Sequence, residues 1–169
     1  MPDPSIPATA PTRVLFVCLG NICRSPAAEG LFLHRLQQRG LSDAFVVDSA
    51  GTGSWHVGKP ADARMIRAAE ARGVLLPSRA RQITAADLQS FDQILTMDAS
   101  NLANVRRLAP AEAITARIEP MTAYCRRHRA DEVPDPYYGG ADGFNDVLDL
   151  LEDACDGLLE ALLERRNPG

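Results

Sequence analysis

The chain has 169 residues, a net charge of −4 at neutral pH and 46% hydrophobic residues. This length suits one domain with its own core, because most domains hold about 100 to 200 residues. The acidic balance repels phosphate at long range, which argues against nucleic acid or a membrane surface as a general partner. Any phosphate-binding site must therefore be local.

Four cysteines are too few for a disulfide-built scaffold, and the chain does not open on a charged and then apolar signal segment. The apolar runs are shorter than the roughly 18 residues that a membrane helix needs. We therefore expect a reducing, cytoplasmic location and no membrane span. Four prolines and few bulky apolar residues predict a disordered tail over residues 1–12, which leaves 13–165 as a single domain.

Strand-like and helix-like segments alternate after this tail. RVLFV precedes a helical segment with Pro26 near its start and Gly40 at its end, AFVVDSAG precedes a second helical segment, and DQILTM precedes a third. TARIEPM is a weaker fourth strand, and residues 142–165 place leucines and Cys155 on one face of a last helix. The order predicts an α/β fold with a parallel sheet and helices on both faces.

The segment VCLGNICRSP follows the first strand, at the edge where open parallel sheets bind ligands. Its backbone N–H groups can converge on one point, with the dipole of the first helix behind them. Gly20 and Asn21 can supply the positive φ angles of a tight curl. Arg24 offers a planar fork to two phosphate oxygens. The predicted phosphate-binding residues are Leu19, Gly20, Asn21, Ile22, Cys23, Arg24 and Ser25.

Cys18 stands at the start of this loop, where a positive field and the hydroxyl of Ser25 favour its thiolate. A thiolate beneath a bound phosphate can attack phosphorus, so we predict a cysteinyl-phosphate that water then hydrolyses. The leaving group needs a proton, and Asp135, between two prolines in VPDPYYGG, is the candidate acid. On that segment alone, a plain Pro-Asp-Pro turn is an equally good interpretation.

With these residues the chain resembles the low-molecular-weight protein tyrosine phosphatases over nearly all of residues 13–165. The matching stretches are VCLGNICRSPAAEG, DSAGTGSWHVG, ARQIT, FDQILTMD and DPYYGG. The resemblance implies a four-stranded parallel sheet, hydrolysis of phosphotyrosine without a metal or other cofactor, and Asp135 as general acid and then base. The implied partners are phosphotyrosine-containing proteins or peptides, with inorganic phosphate or other oxyanions as ligands of the loop.

The same resemblance implies roles for neighbouring residues. It makes Asn21, Ser25 and Ser49 a polar network that supports the loop, and it makes pocket walls of Leu19, Trp55, Tyr137 and Tyr138. It also implies that Cys23 forms a reversible disulfide with Cys18 under oxidation, against the alternative of a small buried residue. Family members often carry a histidine of the supporting network where EARGVLL has Arg72, so we expect the network to differ there.

Other functions stay open at this point. An arsenate reductase would begin with the same thiolate attack but needs a resolving cysteine, for which Cys125 is the loose candidate. A phosphate-dependent binding module without turnover is the third possibility. His34, His56 and His128 stand alone in the sequence, so we expect no metal site. The basic run at 124–131 is either a solvated face or an attractor of acidic peptides.

Overall fold

The computed structural model describes residues 10–137 and 139–167 and contains a four-stranded parallel sheet in the order β2-β1-β3-β4. The predicted fold class is therefore confirmed. Residues 1–9, which are most of the predicted tail, lie outside the described residues, as does Tyr138. The strands are β1 (Thr12–Cys18), β2 (Phe45–Gly51), β3 (Gln93–Thr96) and β4 (Arg117–Pro120).

Five helices flank this sheet in the described part of the chain. They are α1 (Arg24–Gln38), α2 (Ala63–Glu70), α3 (Asp87–Ser90), α4 (Ala99–Arg106) and α5 (Ala141–Arg166). The sequence patterns predict all of them except the four-residue α3. Gly40 follows α1 with φ at 67°, the left-handed conformation expected where that helix ends. No helix among the described residues is long and apolar enough to cross a membrane.

The central strand β1 is buried on both faces, as an inner strand of a parallel sheet should be. On one face Phe16 packs edge-on against Phe32 of α1, and α5 covers that helix. On the other face Leu15 and Val17 join a second apolar cluster beside α4. Cys155 is buried on α5, where its thiol donates to the Ala28 carbonyl at 3.7 Å, so the predicted packing role is confirmed.

The carboxyl ends of the three neighbouring strands meet at one edge of the sheet. Cys18 pairs with Gly51 where β1 and β2 end, and Val17 pairs with Thr96 at the end of β3. The loops after these strands therefore converge, and Asp135 comes to the same edge from the segment between β4 and α5.

Candidate active site

The loop after β1 spans residues 19–23, because β1 ends at Cys18 and α1 begins at Arg24. Asn21 adopts a left-handed φ of 57°, as predicted. The same prediction for Gly20 is wrong, because Asn21 is the only non-glycine residue with positive φ and Gly20 is not among the positive-φ glycines of the described chain. A Cβ at Gly20 would lie 3.0 Å from Cδ2 of His56, so a larger residue there would require the His56 ring to shift.

The loop amides remain available for an anion. Within residues 10–137 and 139–167, no backbone or side-chain acceptor binds the N–H groups of residues 19–23. The sulfur of Cys18 lies at the base of the loop, 3.0 Å from Oγ of Ser25 in the first turn of α1. Unpaired amides at a helix N-terminus suit an oxyanion. The thiol would lie next to such an ion.

A buried amide side chain supports this loop. Nδ2 of Asn21 donates to Oγ of Ser25 at 2.8 Å and to Oγ of Ser49 at 3.0 Å. Its Oδ1 accepts from the backbone N–H of Arg81 at 3.0 Å. The structure thus brings together Asn21, Ser25 and Ser49, as the resemblance implies. These hydrogen bonds offset the cost of the left-handed backbone at Asn21.

The network continues to Glu29, which the sequence analysis missed. Oγ of Ser49 donates to Oε1 of Glu29 at 2.6 Å. Burial raises the pKa of Glu29, and hydrogen bonds from Ser49 and Ser78 lower it in part. The available signal was a lone carboxylate in PAAEGLFL, a part of α1 whose other residues are apolar or glycine. A buried carboxyl group of this kind needs polar partners.

Arg72 lies outside this network, so the network has no member at the position where family members often carry a histidine. Its Nη1 is 2.9 Å from Oδ1 of Asp149 and 3.1 Å from Oε1 of Glu152, both on α5. Two carboxylates on one helix face hold the guanidinium away from the phosphate loop. Ser78, which lies with Arg72 in the connection between α2 and α3, does reach the network, through its hydrogen bond to Glu29.

The guanidinium of Arg24 is oriented from behind. Its Nη1 donates to Oδ2 of Asp98 at 2.8 Å and to the carbonyl of Val133 at 3.0 Å. Asp98 also caps α4, accepting from the N–H of Asn101 at 2.8 Å. Because Arg24 is buried and braced on Nη1, the fork is set before any anion arrives. The sequence analysis missed Asp98, although TMDAS shows an N-cap aspartate directly after a strand.

Asp135 lies at the mouth of the same site. Its Oδ2 is 3.8 Å from Nη2 of Arg24, and its Oδ1 accepts from the N–H of Tyr137 at 3.0 Å. The second contact is a short aspartate turn, so the turn proposed for Pro-Asp-Pro does exist. It also aims the carboxylate at the pocket, and the two interpretations are compatible.

A pocket of about 400 Å³ opens above Cys18. Cys18 is 3% exposed, whereas Trp55 at the rim is 69% exposed, so the pocket runs from a buried floor to an open mouth. The predicted walls Leu19, Trp55 and Tyr137 all line it, and Tyr138 lies outside the described residues. His56 is a further lining residue that the sequence analysis missed; its only signal was its place beside Trp55.

Cys23 also lines the pocket and is buried. Burial, with the nearby charges of Asp62, Cys18 and Asp135, raises the pKa of Cys23 to about 12. It is therefore a neutral thiol at ordinary pH. Both Cys18 and Cys23 are free, and their disulfide stays a prediction.

The remaining cysteine candidate lies elsewhere. The thiol of Cys125 donates to the Leu150 carbonyl of α5 at 3.8 Å and does not line the pocket. Burial and the charge of Asp153 raise the pKa of Cys125 to about 11. No observation therefore favours a resolving role. Among the described residues, no group of three or more His, Cys, Asp or Glu is arranged to hold a metal ion.

Asp153 of α5 anchors the basic run that precedes the acid. The backbone N–H groups of Arg126, Arg127 and His128 donate to its carboxylate at 3.0, 2.9 and 2.7 Å. Burial alone would raise the pKa of Asp153, but these amides and the His128 ring, 2.9 Å away, hold it well below its usual range. The arginine side chains are exposed, as a solvated face would be.

Comparisons with known proteins agree with this geometry. A family model described as low molecular weight phosphotyrosine protein phosphatase matches residues 13–167. A low molecular weight protein-tyrosine-phosphatase of Streptomyces coelicolor is 43% identical over 155 residues, covering 90% of this chain and 94% of the relative.

Two solved structures are also similar. One is a protein tyrosine phosphatase from Entamoeba histolytica with Hepes in the active site, at a TM-score of 0.88 and 42% identity, covering 92% of this chain and 99% of that chain. Another is a drosophila arginine phosphatase, at a TM-score of 0.82 and 36% identity, covering 88% and 96%.

Proposed function

Since the chain belongs to the low molecular weight phosphotyrosine protein phosphatases, a family of phosphoric monoester hydrolases, we propose that it hydrolyses phosphotyrosine in proteins through a cysteinyl-phosphate on Cys18. One observation carries the proposal: the Cys18 sulfur, the Arg24 guanidinium and the Asp135 carboxylate line a single pocket beside a loop of unpaired amides. The proposed reaction uses these groups in two steps.

In the first step, the Cys18 thiolate attacks phosphorus, a sulfur–phosphorus bond forms, and the ester bond to the phenol oxygen breaks. Asp135, as the neutral acid, gives its proton to that oxygen, so that a phenol leaves rather than a phenolate. Arg24 and the amides of residues 19–23 bind the equatorial phosphate oxygens. The bracing of Arg24 by Asp98 means that this group needs no rearrangement to do so.

In the second step, water attacks phosphorus and Asp135, now the carboxylate, takes its proton. The sulfur–phosphorus bond breaks, inorganic phosphate leaves, and the Cys18 thiolate is restored. The hydrogen bond from the Ser25 hydroxyl, 3.0 Å from the sulfur, stabilises the thiolate as leaving group. Asp135 ends the cycle protonated, as it began.

Selectivity for tyrosine follows from the shape of the pocket. The nucleophile is buried, while Leu19 and Trp55 extend the walls toward solvent. A phosphorylated aryl side chain is long enough to reach the sulfur and buries its ring against these walls. Phosphoserine is shorter, so its phosphate would stop above the nucleophile.

The test is phosphate release from peptides of one sequence that carry phosphotyrosine or phosphoserine, in EDTA with a reducing agent. We expect release from phosphotyrosine alone. Free phosphoarginine is the third substrate, because one similar structure is named an arginine phosphatase. Faster release from phosphoarginine than from phosphotyrosine would contradict the proposed substrate class, and release only when a metal is restored would contradict the proposed chemistry.

A further inference from the structure

Arg64, near the start of α2, binds both Asp62 and the segment that carries Asp135. Its Nε and Nη2 pair with both carboxylate oxygens of Asp62, at 3.1 and 2.9 Å. The same Nη2 donates to the backbone carbonyl of Tyr137 at 3.1 Å. One guanidinium therefore connects α2 to the acid segment, residues 133–137.

Two aromatic rings hold the same guanidinium by its faces. Cζ of Arg64 lies 5.4 Å from the ring centre of Tyr137 and 4.8 Å from that of Phe144 on α5. A planar guanidinium can stack its faces on rings while its edge donates two parallel hydrogen bonds to a carboxylate, and an ammonium has neither the flat face nor the fork. The contact thus specifies arginine, not positive charge alone.

Asp62 extends the connection to the phosphate loop. It caps α2, accepting from the N–H of Arg64 at 2.8 Å, and its own N–H donates to the Ile22 carbonyl at 2.8 Å. The side-chain hydrogen bond from Arg64 lowers the pKa of Asp62 against the opposing effect of burial. Asp62 is therefore a carboxylate whenever the site is folded at neutral pH. The pair joins the loop that binds phosphate to the segment that carries the acid.

Asp135 has little support of its own. Its carboxylate is 38% exposed, and its hydrogen bond comes from the N–H of Tyr137. Arg64 holds the carbonyl and the ring of that same Tyr137. Any shift of Tyr137 would therefore move the carboxylate relative to the leaving oxygen.

We propose that Arg64, with Asp62, is a positioning residue for the general acid. It touches neither substrate nor reacting atoms, and it acts by fixing the backbone of Tyr137, whose N–H orients Asp135. The inference rests on the proposed role of Asp135 in proton transfer. It predicts the largest effect where the leaving oxygen must be protonated, because phosphate binding uses Arg24 and the loop amides, whereas a shift of the Tyr137 ring in the pocket wall would act equally on every aryl substrate.

The test compares aryl phosphates whose leaving groups do or do not need a proton. Phenyl phosphate has a poor leaving group, and dinitrophenyl phosphate has a good one that departs without acid help. The variants are Arg64→Met, Arg64→Lys, Asp135→Asn and the double variant Arg64→Met/Asp135→Asn. Arg35→Met is the matched control: its side chain is 38% exposed, against 40% for Arg64, and it pairs with Asp156 away from the pocket.

For Arg64→Met we expect kcat/KM on phenyl phosphate to fall on the order of tenfold or more, since small misplacements of a catalytic group are that costly. On dinitrophenyl phosphate we expect less than about a threefold change, because no proton is required. Arg64→Lys should show the same selective loss in milder form. In the double variant, removing Arg64 should add nothing to Asp135→Asn, because the group that it positions is gone.

Each failure has a different signature. If Asp135→Asn loses both substrates equally, the proposed role of Asp135 fails. If Asp135→Asn is selective but Arg64→Met loses both substrates equally, or behaves like Arg35→Met, the positioning role fails and Arg64 is a structural residue. If the losses of the two single variants multiply in the double variant, the positioning role of Arg64 also fails. Should Arg64→Met not fold, Arg64→Lys, which keeps the charge beside Asp62, decides between the same outcomes.

Discussion

The phosphate loop and the acid segment lie on two sides of one pocket and are held in different ways. The loop is supported from beneath by buried side chains: Asn21 joins Ser25 to Ser49, and Ser49 joins Glu29. The acid segment leaves Asp135 partly exposed and depends on contacts from other elements. Groups that bind charge gain from a rigid, buried frame, whereas a group that exchanges protons with water must reach solvent. Substitutions in the loop and in its partners disrupt these two kinds of support separately.

The largest expected effect is from Cys18→Ser, which removes the nucleophile but keeps the loop. We expect turnover of phosphotyrosine peptide to fall to background, because a serine hydroxyl in this position has no base to activate it. Binding of the same peptide should persist, since Arg24 and the amides are unchanged. Equilibrium binding and phosphate release, measured on one preparation, check these two expectations. Turnover equal to that of the unchanged protein would refute Cys18 as the nucleophile.

Arg24→Lys should have the second-largest effect, a loss of about 10²-fold in kcat/KM, which is the size associated with removing one preorganised donor. Lysine cannot bind Asp98, the Val133 carbonyl and two phosphate oxygens together. Steady-state kinetics on phosphotyrosine peptide measure the effect. Asp98→Asn is the companion variant, which can still cap α4 through its side-chain oxygen but weakens the brace, so we expect a smaller loss. Activity equal to that of the unchanged protein would mean that Asp98 does not orient the fork as described.

Asn21 tests the buried frame of the loop with a matched pair. Asn21→Gly and Asn21→Ala both remove the hydrogen bonds to Ser25 and Ser49, but glycine accepts the φ of 57° and alanine does not. We expect both to lower stability by about 1 to 3 kcal/mol through unpaired buried groups, and alanine by about 1 kcal/mol more through strain. Chemical denaturation measures the difference. Equal stability of the two would mean that the loop relaxes out of the left-handed conformation.

Asp153→Asn should have the smallest effect on activity and a clear one on stability, near 2 kcal/mol at pH 7 for amides bonded to a charged acceptor. The pKa of Asp153 is lowered by folding, so its contribution is present above the unfolded carboxyl pKa of about 3.9 and is lost as pH falls below it. Thermal unfolding at pH 7 and near pH 3 should show the gap between the two proteins shrinking. A gap that widens on acidification would contradict this account.

The sequence predicts well what lies within one segment. Cys18 to Ser25 is a short continuous stretch, so its residues must lie close together whatever the rest of the fold does. Asp135 is a candidate because two prolines stiffen its segment, but only the family resemblance favours an acid over a plain turn there. The apolar character of β1 on both faces is typical of an inner strand, which is where the structure has it.

The residues that sequence reasoning missed are partners across long stretches of chain. Asp98 is 74 residues from Arg24, and Tyr137 is 73 residues from Arg64. Nothing in either local pattern shows which cation meets which carboxylate, because that depends on how the loops converge at the sheet edge. Gly20 is a related case: a Cβ there would crowd the ring of His56, and the local sequence does not show that neighbour.

The most direct test of the central claim is to trap the covalent intermediate. Asp135→Asn is mixed with dinitrophenyl phosphate, which forms the phosphoenzyme without acid help while the second step is slow, and is then denatured rapidly. Trypsin releases residues 14–24, which hold both Cys18 and Cys23, so fragment-ion mass spectrometry must locate the phosphoryl group. We predict it on Cys18, with none in Cys18→Ser. Steady turnover with no phosphoryl group on Cys18, or with the group on another residue, would contradict the account.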